Sequence, residues 1–205
     1  MSDFIKRILS SIILLPLVIY FVLMGSFYLI FLIVICFFAA SYEWHKMVKN
    51  RMHMLIGYFF LILSFYSFYK LSIEKYIITP LLICIATDIG GYVFGKIFKG
   101  PKLTKISPNK TYAGMIGGYF LSIMSFIIYS YYINEPVTLL FLIIVIFISS
   151  ISQIGDIVIS YFKRLSNIKN TGMIIPGHGG ILDRIDGMLF AIPVFYLIHL
   201  IGFSI

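Results

Sequence analysis

The chain has 205 residues, of which 60% are hydrophobic, 18% aromatic and only 12% charged, with a formal net charge of +8. At a mean hydropathy of +1.02 it carries more apolar side chain than a water-soluble core of this length can hide, which excludes a soluble globular domain. Apolar runs of helical length also exclude a membrane β-barrel, whose strands alternate in polarity over about ten residues.

Runs of about 18 apolar residues or more suit a helix crossing roughly 30 Å of hydrocarbon. Seven occur, at about 8–24, 26–42, 53–69, 76–95, 112–133, 137–159 and 182–203. They predict an all-α, polytopic membrane bundle of about seven helices. A single domain over 1–205 is expected, with N-terminal spans in 1–75 and a catalytic part in 76–205. The first run follows Lys6 and Arg7 as a secretory signal would, but no Ala-x-Ala site follows it, so an uncleaved span is expected. Cys36 and Cys84 stand alone in different runs, as packing residues do.

The segments between the runs carry the basic residues unevenly. Fourteen of the sixteen Lys and Arg lie at the N-terminus, in 42–52, in 96–111 and around 163–184; the alternate loops hold only Lys70 and Lys75. This positive-inside pattern predicts a cytoplasmic amino end and, with seven crossings, a carboxyl end outside. The net charge therefore reads as topology, and no nucleic-acid partner is expected. The expected location is the cell (inner) membrane, with the polar loops on the cytoplasmic side.

Between the fourth and fifth runs, the block 86–119 holds Asp88, several glycines and "SPNKT". Gly90 followed by Gly95-Lys96 nearly spells a P-loop, but Ile97 stands where a metal-binding hydroxyl is needed and no strand precedes it. Gly91 and Gly95, like Gly114 and Gly118, are four apart, a spacing that lets membrane helices approach closely. Ser107 or Asn109 is expected to cap the next helix, leaving Lys110 and Thr111 to reach a phosphate.

The last polar block leads into the final run. Of the eight acids, Asp88, Asp156, Asp183 and Asp186 fall inside or at the ends of spans, where a carboxylate costs several kcal/mol unless paired, hydrated or metal-bound. Asp183 and Asp186, three apart, share a helix face, and two clustered anions invite a hard divalent cation. Asp156 and Lys163, seven apart, are expected on one stripe of the sixth span facing that cation. "PGHGG" at 176–180 is expected to offer a backbone nest for an anion, ringed by Lys163, Arg164, Lys169, His178 and Arg184.

From Ser160 to Asp186 these residues fall into a pattern, Ser-x-x-Lys-Arg, then Lys-Asn-x-Gly, then Ile-Pro-Gly-His-Gly-Gly-x-x-Asp-Arg-x-Asp, spanning 27 residues. It resembles the signature of the phosphatidate cytidylyltransferases, also called CDP-diacylglycerol synthases. The block with Asp88, Gly95-Lys96, Ser107-Pro108, Lys110-Thr111 and Gly114 is similar to the same family, as is "SYEWHKM" after the second run. Two positions depart: the family has Asp where Asn170 stands and commonly an acid where Ala113 stands, so no metal or nucleotide role is carried to either.

The resemblance implies a magnesium-dependent transfer of CMP from CTP to phosphatidic acid in the bilayer. It implies catalytic roles for Asp183, Asp186, Lys163, Arg164 and Arg184, with Asp156, Asp183 and Asp186 as metal ligands. Substrate or phosphate contacts are implied for His178, Gly179, Gly180, Lys169, Lys110, Ser107, Thr111 and Asp88. A second cation and a homodimer are left open. A CTP-dependent transferase acting on a polyprenyl or ether lipid would use the same headgroup motifs. A cation or proton transporter would instead place its acids near the bilayer midplane in repeated, broken helices.

Overall fold

The computed structural model describes residues 16–17, 20–22, 24–174 and 179–203. Among the described residues, five helices are long and apolar enough to cross a membrane. They are α1 (Ser26–Met47), α2 (Arg51–Ile73), α3 (Ile78–Phe98), α4 (Tyr112–Tyr132) and α5 (Leu139–Leu165). A short α6 (Leu182–Ile185) and the apolar α7 (Met188–Leu200) follow. All regular elements among the described residues are helical; the pairing of Lys102 with Thr111 is an isolated bridge. The run at 8–24, with Lys6 and Arg7, lies largely outside the described residues.

Helix starts follow local chemistry. Asn50 Oδ1 accepts the amides of Met52 (2.9 Å) and His53 (3.3 Å) and so begins α2. Thr138 Oγ1 accepts the Phe141 amide at 3.3 Å and begins α5. For α4 the expectation of Ser107 or Asn109 is corrected: the cap is Thr111, whose Oγ1 accepts the Gly114 amide at 3.1 Å. The Ser107 carbonyl instead accepts the Lys110 amide at 3.0 Å, making a turn that delivers Thr111 to the helix start.

The expected continuous helix over 182–203 is broken between α6 and α7. Asp186 Oδ1 accepts the Gly187 amide at 3.0 Å, drawing it from the helical ladder. Nearly two turns later, Pro193 supplies no N–H to the Leu189 carbonyl, an orphan that lipid cannot satisfy. Ser64 on α2 does so, with Oγ 2.5 Å from that oxygen.

Two apolar clusters hold the bundle. One gathers Leu71, Ile83, Phe126, Ile148 and Phe195; the other gathers Trp44, Met47, Leu61, Ile159, Leu182 and Leu189 beside the polar loops. Cys84 is buried, Cys36 half-buried, and both are free thiols, as packing residues should be. The outer surface is also apolar: Phe38, Phe59 and Ile128 are 67%, 64% and 65% exposed, a surface that only lipid covers at low cost.

The glycines of α3 and α4 let two backbones touch, as their spacing predicts. A Cβ on Gly90 would fall 2.9 Å from the Gly118 Cα and closer still to the Gly117 backbone, so the helices would have to part. Gly90→Ala is expected to destabilise the protein by about 1–3 kcal/mol, read as a lower melting temperature in detergent. An unchanged melting temperature would rule out this contact as a source of stability.

Candidate active site

The site grows from the last turns of α5. Lys163, 9% exposed there, sends Nζ to 3.0 Å from Asp183 Oδ1 and 3.7 Å from Asp186 Oδ2. The repulsion between these two acids, which the sequence suggested a metal would relieve, is eased by the chain's own ammonium group. Asp156 and Lys163, seven residues apart on the unbroken α5, share one stripe of that helix as expected. They do not pair with each other, being roughly 10 Å apart along the axis, and Asp156 takes a partner from another segment. Its Oδ2 lies 2.5 Å from Lys110 Nζ, and its Oδ1 accepts from Ser160 Oγ at 3.3 Å.

Of the expected anion nest at 176–180, Gly179 and Gly180 are among the described residues, and the Gly180 amide goes to a carboxylate. Asp183 Oδ2 accepts the amides of Thr171 (2.9 Å) and Gly180 (3.0 Å). Glu43 Oε1 accepts the Ile181 amide at 3.0 Å, while Oε2 accepts the Leu182 amide and Thr171 Oγ1, each at 2.9 Å. The amides expected to cradle a phosphate at Gly180 and the helix start are thus taken by buried carboxylates. The physical reason is that the first N–H groups of a helix have no acceptor within it and find one nearby. Gly179 is needed for its backbone: φ is +88°, and a Cβ there would lie 2.7 Å from Asp183 Oδ2. His178 lies outside the described residues.

The sequence reading assigns Glu43 no role, although its segment "SYEWHKM" is similar to the family. It is 1% exposed. The available signal was its position: like the four aspartates singled out, it sits at the end of an apolar run.

Around this core lie further charges. Asp88 on α3 is within electrostatic reach of Asp156, Lys110 and Arg184. Asp186 lies in the turn between α6 and α7. Burial, and after it the charge of Asp156, push its carboxyl well above the ordinary range; Lys163 opposes, Asp88 adds to the rise, and the Gly187 amide opposes. Asp88, Asp156 and Asp186 therefore form one group of mutually repelling acids, faced by Lys110, Lys163 and Arg184. No three His, Cys, Asp or Glu side chains among the described residues close on a single point tightly enough to hold a metal by themselves. Arg164 is exposed and donates Nη1 to the Ile168 carbonyl at 3.2 Å, and Lys169 is exposed on the same loop. Thr111 spends its hydroxyl on the α4 cap.

A model of the cytidylyltransferase family matches residues 5–77 and 54–201, nearly the whole chain. The chain belongs to the cytidylyltransferase family. It is 37% identical over 173 residues to the phosphatidate cytidylyltransferase of Staphylococcus epidermidis, covering 80% of this chain and 66% of that protein. The Staphylococcus aureus protein of the same name is 38% identical with the same coverage. That of Rickettsia typhi is 35% identical over 209 residues, covering 95% of this chain and 91% of the relative. The chain thus spans just under two thirds of the staphylococcal relatives and most of the rickettsial one. In this chain the second matched segment carries the whole acid and base cluster, and the first carries Glu43.

Proposed function

We propose that the chain transfers CMP from CTP to phosphatidate, yielding CDP-diacylglycerol and pyrophosphate. The observation that carries this reading is the meeting of Asp88, Asp156 and Asp186 with Lys110, Lys163 and Arg184, drawn from α3, the α3–α4 loop, α5, α6 and the α6–α7 turn. Triphosphate chemistry needs such a mixed field, with cations for the phosphates and acids for a metal ion. An oxygen of the lipid phosphate attacks the α-phosphorus of CTP. The bond from that phosphorus to the bridging oxygen breaks, and pyrophosphate leaves with the electron pair.

Because a phosphate monoester is largely ionised at neutral pH, no general base is required; orientation and charge neutralisation supply the rate. Lys110 and Lys163 hold phosphate oxygens, and Arg184 neutralises charge developing on the leaving group. Arg164 and Lys169, exposed at the rim, draw in the triphosphate.

Magnesium fits this donor set. Asp88, Asp156 and Asp186 are hard oxygen donors not locked by backbone amides on both sides, and their repulsion is what a divalent ion relieves. Asp183 fits less well, because its two oxygens already serve Lys163, Thr171 and Gly180. Bound with phosphate oxygens completing its shell, magnesium would supply further charge neutralisation at the reacting phosphoryl group. The alternating basic loops support seven crossings, a cytoplasmic amino end and a site facing the cytoplasm, where CTP is dissolved.

Purified protein in detergent, given labelled CTP, phosphatidate and magnesium, is expected to move label into the organic phase, and a chelator is expected to stop it. Label that stays aqueous under all conditions would overturn the proposed activity; transfer that survives chelation would overturn the metal.

A further inference from the structure

We infer that Glu43 is a positioning residue for this transfer: from α1 it holds the segment that presents Asp183 and Asp186. The inference rests on the activity proposed above. Glu43 takes three donors, Thr171 Oγ1 and the amides of Ile181 and Leu182, which lie 128 to 139 residues away in the chain. A buried carboxylate is tolerated where hydrogen bonds satisfy it, and all three donors here are uncharged. Two of them are the amides of the N-cap residue and the first residue of α6, groups that no acceptor within that helix can reach.

The hold is made from both sides. Glu43 takes the hydroxyl of Thr171 and the start of α6, and Asp183 takes the Thr171 and Gly180 amides. Asp183 in turn holds Lys163, which reaches Asp186. The base of this arrangement is firm. Ser166 Oγ, at the end of α5, donates to the Met47 carbonyl at 2.5 Å, and the Trp44 ring meets Phe162 edge-on at 5.0 Å. Glu43 therefore stands in a set relation to the helix that carries Asp156 and Lys163. An amide in its place would turn an NH2 toward backbone N–H groups and lose at least one of these bonds.

A residue that only stabilises the fold would leave turnover of the folded protein intact, whereas loss of positioning lowers kcat at constant KM. In E43Q, assayed with magnesium well below its melting temperature, kcat is expected to fall about 10- to 100-fold. KM for CTP and for phosphatidate should stay within about twofold of wild type. T171V, which removes only the hydroxyl donor, is expected to lose about 3- to 10-fold in kcat. Hydrogen exchange of peptides covering 179–185 is expected to be faster in E43Q than in wild type.

An E43Q protein with wild-type kcat, or with exchange as slow as wild type, overturns the inference. Where E43Q does not fold, wild-type kcat in T171V does the same. A wild-type chain that makes no CDP-diacylglycerol defeats the proposed activity instead, and the exchange measurement still reports separately whether Glu43 holds the α6 start.

Discussion

Asp186→Asn is expected to lower CMP transfer by about 100- to 1,000-fold while the protein still inserts and unfolds near the wild-type temperature. Asparagine keeps the shape of the side chain and the oxygen that accepts the Gly187 amide, so the local turn is preserved. What it removes is a negative charge that the protein alone disfavours, since burial and Asp156 both act against it. The fold therefore has little to lose, whereas a cation held with Asp88 and Asp156 has one anion fewer. CDP-diacylglycerol formation and thermal unfolding, measured on the same preparation, check both halves. Near-normal turnover would remove Asp186 from the site.

Lys163→Met should do the opposite to the balance of effects, costing stability as well as turnover. The Lys163 and Asp183 side chains are 11% and 8% exposed, and Asp186 leans on the same ammonium group. Removing one partner from a buried pair leaves charge without compensation, a loss of about 3–5 kcal/mol. The measurement is the melting temperature in detergent together with the recovery of folded protein. A K163M variant as stable as wild type would mean that the Lys163–Asp183 pair is not an anchor of the signature segment.

The helices themselves were largely legible. The run at 112–133 became Tyr112–Tyr132, and the glycines spaced four apart became the contact between α3 and α4. Boundaries slipped where a helix outlives its apolar run. The sixth run was expected to end at 159, but α5 continues to Leu165 because Lys163 and Arg164 suit a last turn near its carbonyls. The expected helix over 182–203 is interrupted for a different reason. Its first residues include Asp183, Arg184 and Asp186, and the interruption falls where the Gly187 amide bonds to Asp186 Oδ1, a single contact that no periodicity displays.

Composition, periodicity and charge placement by themselves determined that this is an all-helical membrane protein, which residues carry charge at its boundaries, and which family signature they spell. Those properties are local, so a linear reading reaches them. Only the tertiary structure decided what each carboxylate does. Asp183 and Glu43 bind backbone amides, Asp156 pairs with Lys110, and Asp88, Asp156 and Asp186 lie within electrostatic reach of one another. An acid's role is set by the donors that surround it, and for Glu43 they arrive from 128 to 139 residues away, a distance no helical period encodes.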